Sequence, residues 1–504
     1  MVDEQKESIA TVTQDTQFLT NPVTGQPWRF RHSVVGIGTG NGTFENPTGT
    51  VAEALAVAQP NDIVYVQPGT NPGIPAFTIP DGVQVWSTGP NQFINTVELG
   101  NLQLPLSGAG VLPTVTGTVT MGNNTGLSGF AIATTTGPGI LANNVGQFVI
   151  RDNAIANTAG AGIQLNNVQG QVQIFDNSIQ QAQNNGIALD NAGGQVDLLL
   201  TRNQITNNGG SSVDGDGVNL TLRNGATGNF TVTNNAIANN SSSGGLANGI
   251  EVQQFDSSSG NFTVADNTIT GNQLNGISIS QESTAQGTFN VARNNLSSNG
   301  LNGFEALLSD SAQGTFNLDS NTINSNQLKG VQVIAAETSR ANLSLTNSTV
   351  TGNQDDGVLL QSSDQAQLNA TILNTTIANN ARYGIFTNAT GTSQFRILAG
   401  SNIITGNGLP GVSLNTSNSA STAAALRSNT ITGNGFSDVD MFNLTPGATV
   451  CLQPLNNTIG NLTLDDFFGG PIAVEAGSLG TNSVTTADTT FWSGTTVPAG
   501  SCGF

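Results

Sequence analysis

Acidic and basic side chains recur at one position of a repeated pattern, three residues before a regularly spaced aliphatic residue. Asp176, Arg202, Asp266 and Arg293 occupy this position. A carboxylate beside a guanidinium could serve proton transfer if both groups converged within hydrogen-bond reach of one substrate atom. The same proximity gives an ordinary exposed salt bridge, which typically contributes ~0–1 kcal/mol. We expect salt bridges at these four residues, with catalysis as the alternative.

A second acidic set follows a repeated glycine by seven residues. It contains Asp310, Glu337 and Asp364. If the repeats stack at about 4.8 Å, these like charges repel one another. Water can relieve the repulsion if the side chains splay outward, and a shared Ca²⁺ ion can relieve it as well. The sequence therefore predicts either solvated turns or a calcium site here, and no other cofactor is expected.

Two neighbouring repeats carry extra residues, within 207–216 and 239–248. Loops inserted on a rigid scaffold often carry recognition. We therefore expect a ligand-binding edge that includes Asp214, Asp216, Ser241 and Asn248, and a tolerated insertion without function is the alternative. The Asp214–Gly217 segment resembles a cation-binding turn, but it lacks the spacing of an EF-hand or of a calcium-binding nonapeptide repeat.

The spacing that defines these positions comes from aliphatic residues 27 positions apart. They are Ile269, Leu296, Ile323, Val350, Ile377, Ile404 and Ile431, and a glycine followed by an apolar residue comes seven residues after each of the first six. A fixed period of this length marks a repeat protein whose units stack and bury each other's apolar faces.

Short segments rich in Val, Ile, Phe and Thr alternate with Gly, Asn, Ser and Asp, as strands alternate with turns. Three such strands per repeat, each paired with its equivalent on the next repeat, predict an all-β fold, a single-stranded parallel β-helix of about 27 residues per turn. Equivalent asparagines should form hydrogen-bonded ladders. The phenylalanines of the repeats should stack inside the coil, and these are Phe230, Phe262, Phe289 and Phe316.

Composition excludes several classes of function. The net charge is −20, from 12 Lys+Arg against 32 Asp+Glu, so binding to nucleic-acid phosphates is not expected. No apolar run reaches the length of a membrane span. Cys451 and Cys502 are the only cysteines. They indicate either one disulfide, which needs an oxidising compartment, or two separate thiols.

The sequence suggests three regions. Residues 1–35 form a polar lead-in, 36–450 the β-helix, and 451–504 a C-terminal cap region. The apolar spacing of residues 51–58 predicts a short capping helix over the first turn. The start has no hydrophobic signal region. This start fits either a cytosolic protein or a portion of a longer secreted chain.

The stretch from Gly40 to Gly69 resembles the opening module of the pectate-lyase-like superfamily of right-handed parallel β-helix proteins. The lead-in around residues 20–27 is similar to that of β-helix passengers of Gram-negative surface proteins, including cyanobacterial ones. The first resemblance implies a right-handed coil. Enzymes of that superfamily act on polysaccharides along the side of the coil. Asp355 and Asp356 resemble the paired aspartates of its hydrolases, but the single histidine, His32, precedes the coil.

These observations favour a non-enzymatic extracellular or cell-surface scaffold that displays loops for adhesion, surface coverage or assembly. Its expected partner is carbohydrate or another surface protein. A polysaccharide lyase or hydrolase is the alternative, and a phage-type host-recognition fibre is the third possibility.

Overall fold

The computed structural model describes residues 19–37, 40–210, 214–465, 472–478, 481–488 and 496–504. The chain divides into two compact units. The first is Met1–Thr134 with Gln147–Ala154, and the second is Thr135–Gly146 with Ile155–Phe504.

The second unit is built from three series of parallel strands, one strand of each series per turn, and we call the series faces 1, 2 and 3. Most strands of face 1 have seven residues. The face-1 strands are Gln169–Phe175, Gln195–Thr201, Thr227–Thr233, Ser259–Ala265, Gln286–Ala292, Gln313–Asp319, Arg340–Thr346, Gln367–Leu373, Gln394–Gly400, Ser421–Arg427, Thr449–Leu455, Ile472–Glu475 and Thr496–Val497.

Face 2 carries three-residue strands and ends on a longer one. They are Ser178–Gln180, Gln204–Thr206, Ala236–Ala238, Thr268–Thr270, Asn295–Ser297, Thr322–Asn324, Thr349–Thr351, Thr376–Ala378, Ile403–Thr405, Thr430–Thr432 and Thr458–Asp465, and Ala154–Ala156 lies at the border between the units.

Face 3 completes each turn. Its strands are Ile140–Asn143, Ile163–Asn166, Ile187–Ala192, Val218–Arg223, Ile250–Gln254, Ile277–Gln281, Phe304–Leu308, Val331–Ala335, Val358–Ser362, Ile385–Ala389, Val412–Thr416, Val439–Asn443 and Ser483–Asp488. Strands alternate inward apolar with outward polar residues, which is the two-residue period of a strand.

The aliphatic column that defines the repeat lies inside the coil. Leu296 pairs with Ile269 on one side and with Ile323 on the other, and all three are fully buried. The glycine that follows each column residue is required by close packing: a Cβ on Gly303 would meet Cγ2 of Ile323 at 2.4 Å. The predicted register and all-β repeat fold are confirmed.

Two asparagine ladders run along the edges of face 2. In one ladder each side-chain N–H₂ donates to the Oδ1 of the next asparagine, as from Asn272 to Asn299 at 3.0 Å. The same Oδ1 accepts the backbone N–H of Asn272 at 3.2 Å. In the other ladder Asn294 is bound to Asn321 in the same way. The amides thus satisfy buried turn backbone that would otherwise be costly to leave unpaired.

A phenylalanine stack fills the interior beneath face 1. The rings of Phe230, Phe262 and Phe289 follow one another with centroids 4.6 Å apart, and Phe316 continues the stack at 5.3 Å. Each spacing is near the separation of neighbouring strands. The predicted stack is confirmed.

The first unit contains the one α-helix within the described residues, Val51–Val57. Thr50 caps it: its side chain accepts the backbone N–H of Glu53, whose carboxylate accepts the N–H of Thr50. This reciprocal arrangement is a capping box. The strands of this unit are Arg29–Val34, Asp62–Gln67, Phe77–Thr78, Gln84–Ser87, Phe93–Thr96, Gly100–Gln103, Thr114–Val115, Val119–Met121, Gly126–Ser128 and Ala131–Ala133, with Gly146–Arg151 pairing to Gly126–Ser128.

Candidate functional site

The four residues considered for proton transfer form two separate ion pairs. Arg202 donates Nε and Nη2 to the two carboxylate oxygens of Asp176 at 2.8 and 2.7 Å. Arg293 binds Asp266 in the same bidentate way, at 2.7 Å for both bonds. The Arg293 guanidinium holds the pKa of Asp266 below its usual range. All four side chains are exposed, and each carboxylate is occupied by its partner, so the arrangement suits surface pairing rather than proton abstraction.

The acidic column Asp310, Glu337 and Asp364 lies at a tight turn on successive rungs, a rung being one turn of the coil. Each residue has a left-handed backbone, with φ of 53°, 60° and 57°. Each carboxylate accepts a backbone N–H from the rung before it: Glu337 from Asp310 at 3.1 Å and Asp364 from Glu337 at 3.3 Å. These main-chain donors already offset part of the repulsion that a shared cation would relieve.

A cluster of three carboxylates lies beside the inserted loops. Asp214 and Asp216 belong to the first loop, and Glu251 lies in the strand Ile250–Gln254 that follows the second. One oxygen from each lies within 4.8 Å of the others, so the three could ligate one metal ion. Asn219 donates its side-chain N–H₂ to Asp216 at 2.9 Å and to Glu251 at 2.7 Å. Asn248 contributes its backbone N–H to Asp216.

The remaining loop residue of the prediction, Ser241, is exposed, and its backbone N–H donates to the Asn208 carbonyl at 2.8 Å. The sequence did not single out Glu251. It directly follows the repeated Gly249–Ile250 pair and lies one rung from Asn219, so the repeat register could have placed it beside the inserts.

Burial controls protonation in this carboxylate cluster. Burial, followed by the charges of Glu251 and Asp214, raises the pKa of Asp216 well above its usual range. Burial also raises the pKa values of Asp214 and Glu251. Three negative charges this close together repel one another, and burial removes the water that would stabilise them. The carboxyl groups of the cluster therefore favour their protonated forms.

A mixed cluster of charges lies beside face 3, further along the unit. Asp355 binds Lys329 at 2.9 Å and Arg382 at 3.1 Å. Asp356 is buried, accepts the backbone N–H of Tyr383 at 3.2 Å, and has a pKa of about 6, raised by burial and then by the charge of Asp355. The paired aspartates noted in the sequence thus have cationic partners in place of a histidine.

Tyr383 extends this cluster along face 3. Its ring stacks on Phe386 with centroids 4.7 Å apart. Burial, followed by the charge of Asp440, raises its pKa. Burial also raises the pKa of Asp440 to about 6. The charges of Asp440 and Asp356 both contribute to the raised pKa of Tyr383, and a group of shifted pKa values is a feature of sites for acid–base chemistry.

A groove of about 710 Å³ lies on the outside of face 1. Two columns of outward side chains line it across seven rungs, which span roughly 29 Å at the usual strand spacing. We call it the face-1 groove. Its first column is Gln195, Thr227, Ser259, Gln286, Gln313, Arg340 and Gln367, and its second is Asn229, Asn261, Thr288, Thr315, Asn342 and Asn369.

The groove is lined by amides and hydroxyls. Within the second column, Asn261 donates to Asn229 and Asn369 donates to Asn342, each at 3.0 Å. Arg340 is the one charged residue among its described lining. This surface was not among the predicted sites. Its signal was available, because Gln286 and Gln313 are 27 residues apart and belong to the same period as the core residues.

At one end of face 1, Cys451 and Cys502 form a disulfide with their Cα atoms 5.3 Å apart. The bond joins the strand Thr449–Leu455 to the segment that follows Thr496–Val497. A second concave region of about 480 Å³ lies there, and it shares Gln367 and Asn369 with the face-1 groove.

Comparisons with known proteins agree with this architecture. A family described as "Right handed beta helix region" matches residues 95–199 and 169–343. One described as "Periplasmic copper-binding protein (NosD)" matches residues 306–447. No curated protein matches the chain in sequence.

Two solved structures that the chain matches at low identity are A-modules of mannuronan C-5 epimerases from Azotobacter vinelandii. The AlgE6 module is 13% identical, covers 88% of this chain and 91% of its own, and has a TM-score of 0.29. The AlgE4 module is 14% identical, covers 87% and 91%, and has a TM-score of 0.26.

The parallel strand pairing and the β-helix family match define the class: the chain is a right-handed parallel β-helix repeat protein. Among the described residues, no helix has the length and apolar character needed to cross a membrane.

The copper ligands that the second family description suggests do not fit this chain. Copper favours imidazole, thiolate and thioether donors. The matched region, 306–447, contains neither histidine nor cysteine, and its one methionine, Met441, is fully buried in the core. We therefore assign no copper site.

Proposed function

We propose that this protein is a non-catalytic, extracytoplasmic β-helix scaffold that binds a neutral polysaccharide along the face-1 groove. The observation that carries the proposal is the groove itself. Two columns of outward side chains line it, one over seven rungs and one over six, and all of them except Arg340 are amides or hydroxyls. Such groups can donate and accept hydrogen bonds with sugar hydroxyls. Their regular spacing along the axis suits a linear polymer better than a compact ligand.

Charge favours a neutral chain over a polyanion. The protein carries a net charge of −20, and the groove offers Arg340 as its one cation among the described lining residues. A polyuronate would therefore be repelled at long range and would find few partners at contact. A neutral polymer is not repelled at long range and does not need cationic partners in the groove.

The location is proposed from two observations. The disulfide between Cys451 and Cys502 is typical of proteins that leave the reducing cytosol. The NosD family, similar over 306–447, is described as periplasmic. Both support a periplasmic, extracellular or cell-surface location.

The test is binding to a panel of soluble polysaccharides, measured by calorimetry. The panel contains neutral glucans, mannans and xylans together with polygalacturonate and alginate. Thr315→Trp places a bulky ring in the groove, whereas Thr322→Trp places the same ring at an exposed position on face 2. We expect at least one neutral polymer to bind the wild type and Thr322→Trp, and Thr315→Trp to weaken binding at least tenfold. Equal binding by Thr315→Trp and Thr322→Trp would show that the face-1 groove is not the binding site.

A second candidate function, a polysaccharide-active enzyme, is favoured by one observation. Asp356 and Asp440 each have a pKa of about 6, and the charges of both raise the pKa of the Tyr383 phenol. The same panel tests this candidate through the appearance of new reducing ends or unsaturated products. Turnover by the wild type that is lost in Tyr383→Phe, with binding retained, would establish an enzyme and displace the scaffold proposal.

A further inference from the structure

A short segment folds onto face 1 where the second concave region lies. We call Ser501–Phe504 the strap. Cys502 is bonded to Cys451, and its backbone N–H donates to the Glu475 carboxylate at 2.8 Å. Ser501 and Cys502 line the concave region. The strap is therefore fixed to the surface by covalent and polar contacts.

The strap also engages Arg396, an outward side chain on the next rung beyond Gln367. Arg396 donates Nη2 to the Gly503 carbonyl, and its guanidinium lies 4.7 Å from the Phe504 ring centroid. A cation over an aromatic face is an attractive contact. Both interactions direct the guanidinium towards the strap.

The surface beside the strap continues the face-1 groove. The two concave regions share Gln367 and Asn369, and the second extends over four further rungs, marked by Gln394, Ser421, Thr449 and Ala473. Its lining changes in character, because Ala423, Cys451 and Ala473 occupy the positions where the second column of the face-1 groove carries amides and hydroxyls. Face 1 therefore continues beyond the open, amide-lined part of the groove.

We propose that the strap is an end stop for the polysaccharide groove. The Cys451–Cys502 bond holds it over the last rungs, so that a bound chain terminates against Ser501 and Arg396 and cannot run the full length of face 1. The inference rests on the proposed function. It adds that the groove has a defined number of sugar-binding subsites and is closed at one end.

The experiment measures how affinity depends on ligand length. Cello-, manno-, malto- and xylo-oligosaccharides of increasing length are titrated into the wild type and into a Cys451→Ser/Cys502→Ser variant. For the wild type, affinity should rise with length and reach a plateau when the open groove is filled. For the variant the plateau should move to longer chains, with a gain of about tenfold for the longest, equivalent to about 1.4 kcal/mol.

A second variant guards against misfolding of the double serine protein. Phe504→Ala keeps the disulfide and removes the ring that Arg396 contacts, so it should move the plateau in the same direction by a smaller amount. Circular dichroism checks that each variant is folded. If both variants keep the wild-type plateau, the end stop is overturned while polysaccharide binding stands. If none of the oligosaccharides binds the wild type or either variant, the proposed function and the end stop are overturned together.

Discussion

Asn248 donates its backbone N–H to Oδ1 of Asp216 at 2.6 Å, so a fully buried carboxyl of one inserted loop holds the backbone of the next. No basic side chain is among the causes that shift the pKa of Asp216. The loops are thus joined through a carboxyl group that is best tolerated in its protonated form.

This arrangement predicts a loss of stability as pH rises. The folded-state pKa of Asp216 lies well above the value near 3.9 expected when the chain is unfolded. Between these two pKa values the folded protein binds more protons at Asp216 than the unfolded chain does. The stability that Asp216 contributes is therefore fully present below about pH 4 and is lost as pH rises through the folded pKa. Asp216→Asn retains an oxygen that can accept from Asn248 and removes one charge.

We expect Asp216→Asn to raise the unfolding temperature at pH 8 relative to the wild type, and to have a smaller or opposite effect at pH 4. Asp176→Asn, in an exposed ion pair, serves as the control for general charge effects. Thermal unfolding across this pH range measures both. An Asp216→Asn profile parallel to that of the wild type would contradict a protonated cluster.

The aliphatic column predicts a large cost for truncation in the interior. Ile323 is fully buried between Leu296 and Val350. Ile323→Ala should reduce the free energy of unfolding by about 2–5 kcal/mol, since it removes apolar contacts and leaves a cavity. Thr322→Ala, at the adjacent exposed position, should change stability by no more than about 0.5 kcal/mol. Denaturant unfolding compares the two, and similar costs would mean that the register is wrong.

The asparagine ladder tolerates a hydroxyl, and the chain itself contains the example. Asn321 donates its backbone N–H to Oγ of Ser348 at 3.0 Å, where other rungs have an asparagine. Asn294→Ser should therefore cost less than Asn294→Ala. The alanine variant removes the acceptor of the buried Asn267 N–H and a donor to the Val264 carbonyl, and a buried group left unsatisfied costs about 1–3 kcal/mol. Chemical denaturation of the two variants measures the difference, and equal costs would show that the hydroxyl does not replace the amide.

The period of the sequence predicts the fold in detail because each buried residue repeats its environment on the next rung. Ile323 could be placed inside the coil from spacing alone, and Phe262 could be placed in a stack. Helix Val51–Val57 was equally predictable, since its apolar spacing follows a capping threonine.

The functional surfaces were less predictable, because outward positions carry no packing constraint that distinguishes them. Thr315 in the groove and Thr322 on face 2 look alike in the sequence, and only the concavity of face 1 separates them. Glu251 was not predicted as a site residue because its partners, Asp214 and Asp216, lie in an insert that interrupts the regular repeat. The salt bridge between Asp176 and Arg202 was foreseeable because it follows the regular strand register.

The acidic column leads to a prediction about calcium. The carboxylates of Asp310, Glu337 and Asp364 each already accept a backbone N–H from the preceding rung. A calcium ion would have to share these oxygens with the main-chain donors or displace them, and Ca²⁺ requires about six to eight oxygen ligands. We therefore expect millimolar Ca²⁺ to leave the unfolding temperature of the wild type almost unchanged.

Glu337→Gln retains an acceptor for the N–H of Asp310 and should unfold within a few degrees of the wild type, with or without the ion. Calorimetric scans of both proteins, in Ca²⁺ and in chelator, make the comparison. A rise in the wild-type midpoint on adding Ca²⁺, absent in Glu337→Gln, would instead establish a calcium site on these three rungs.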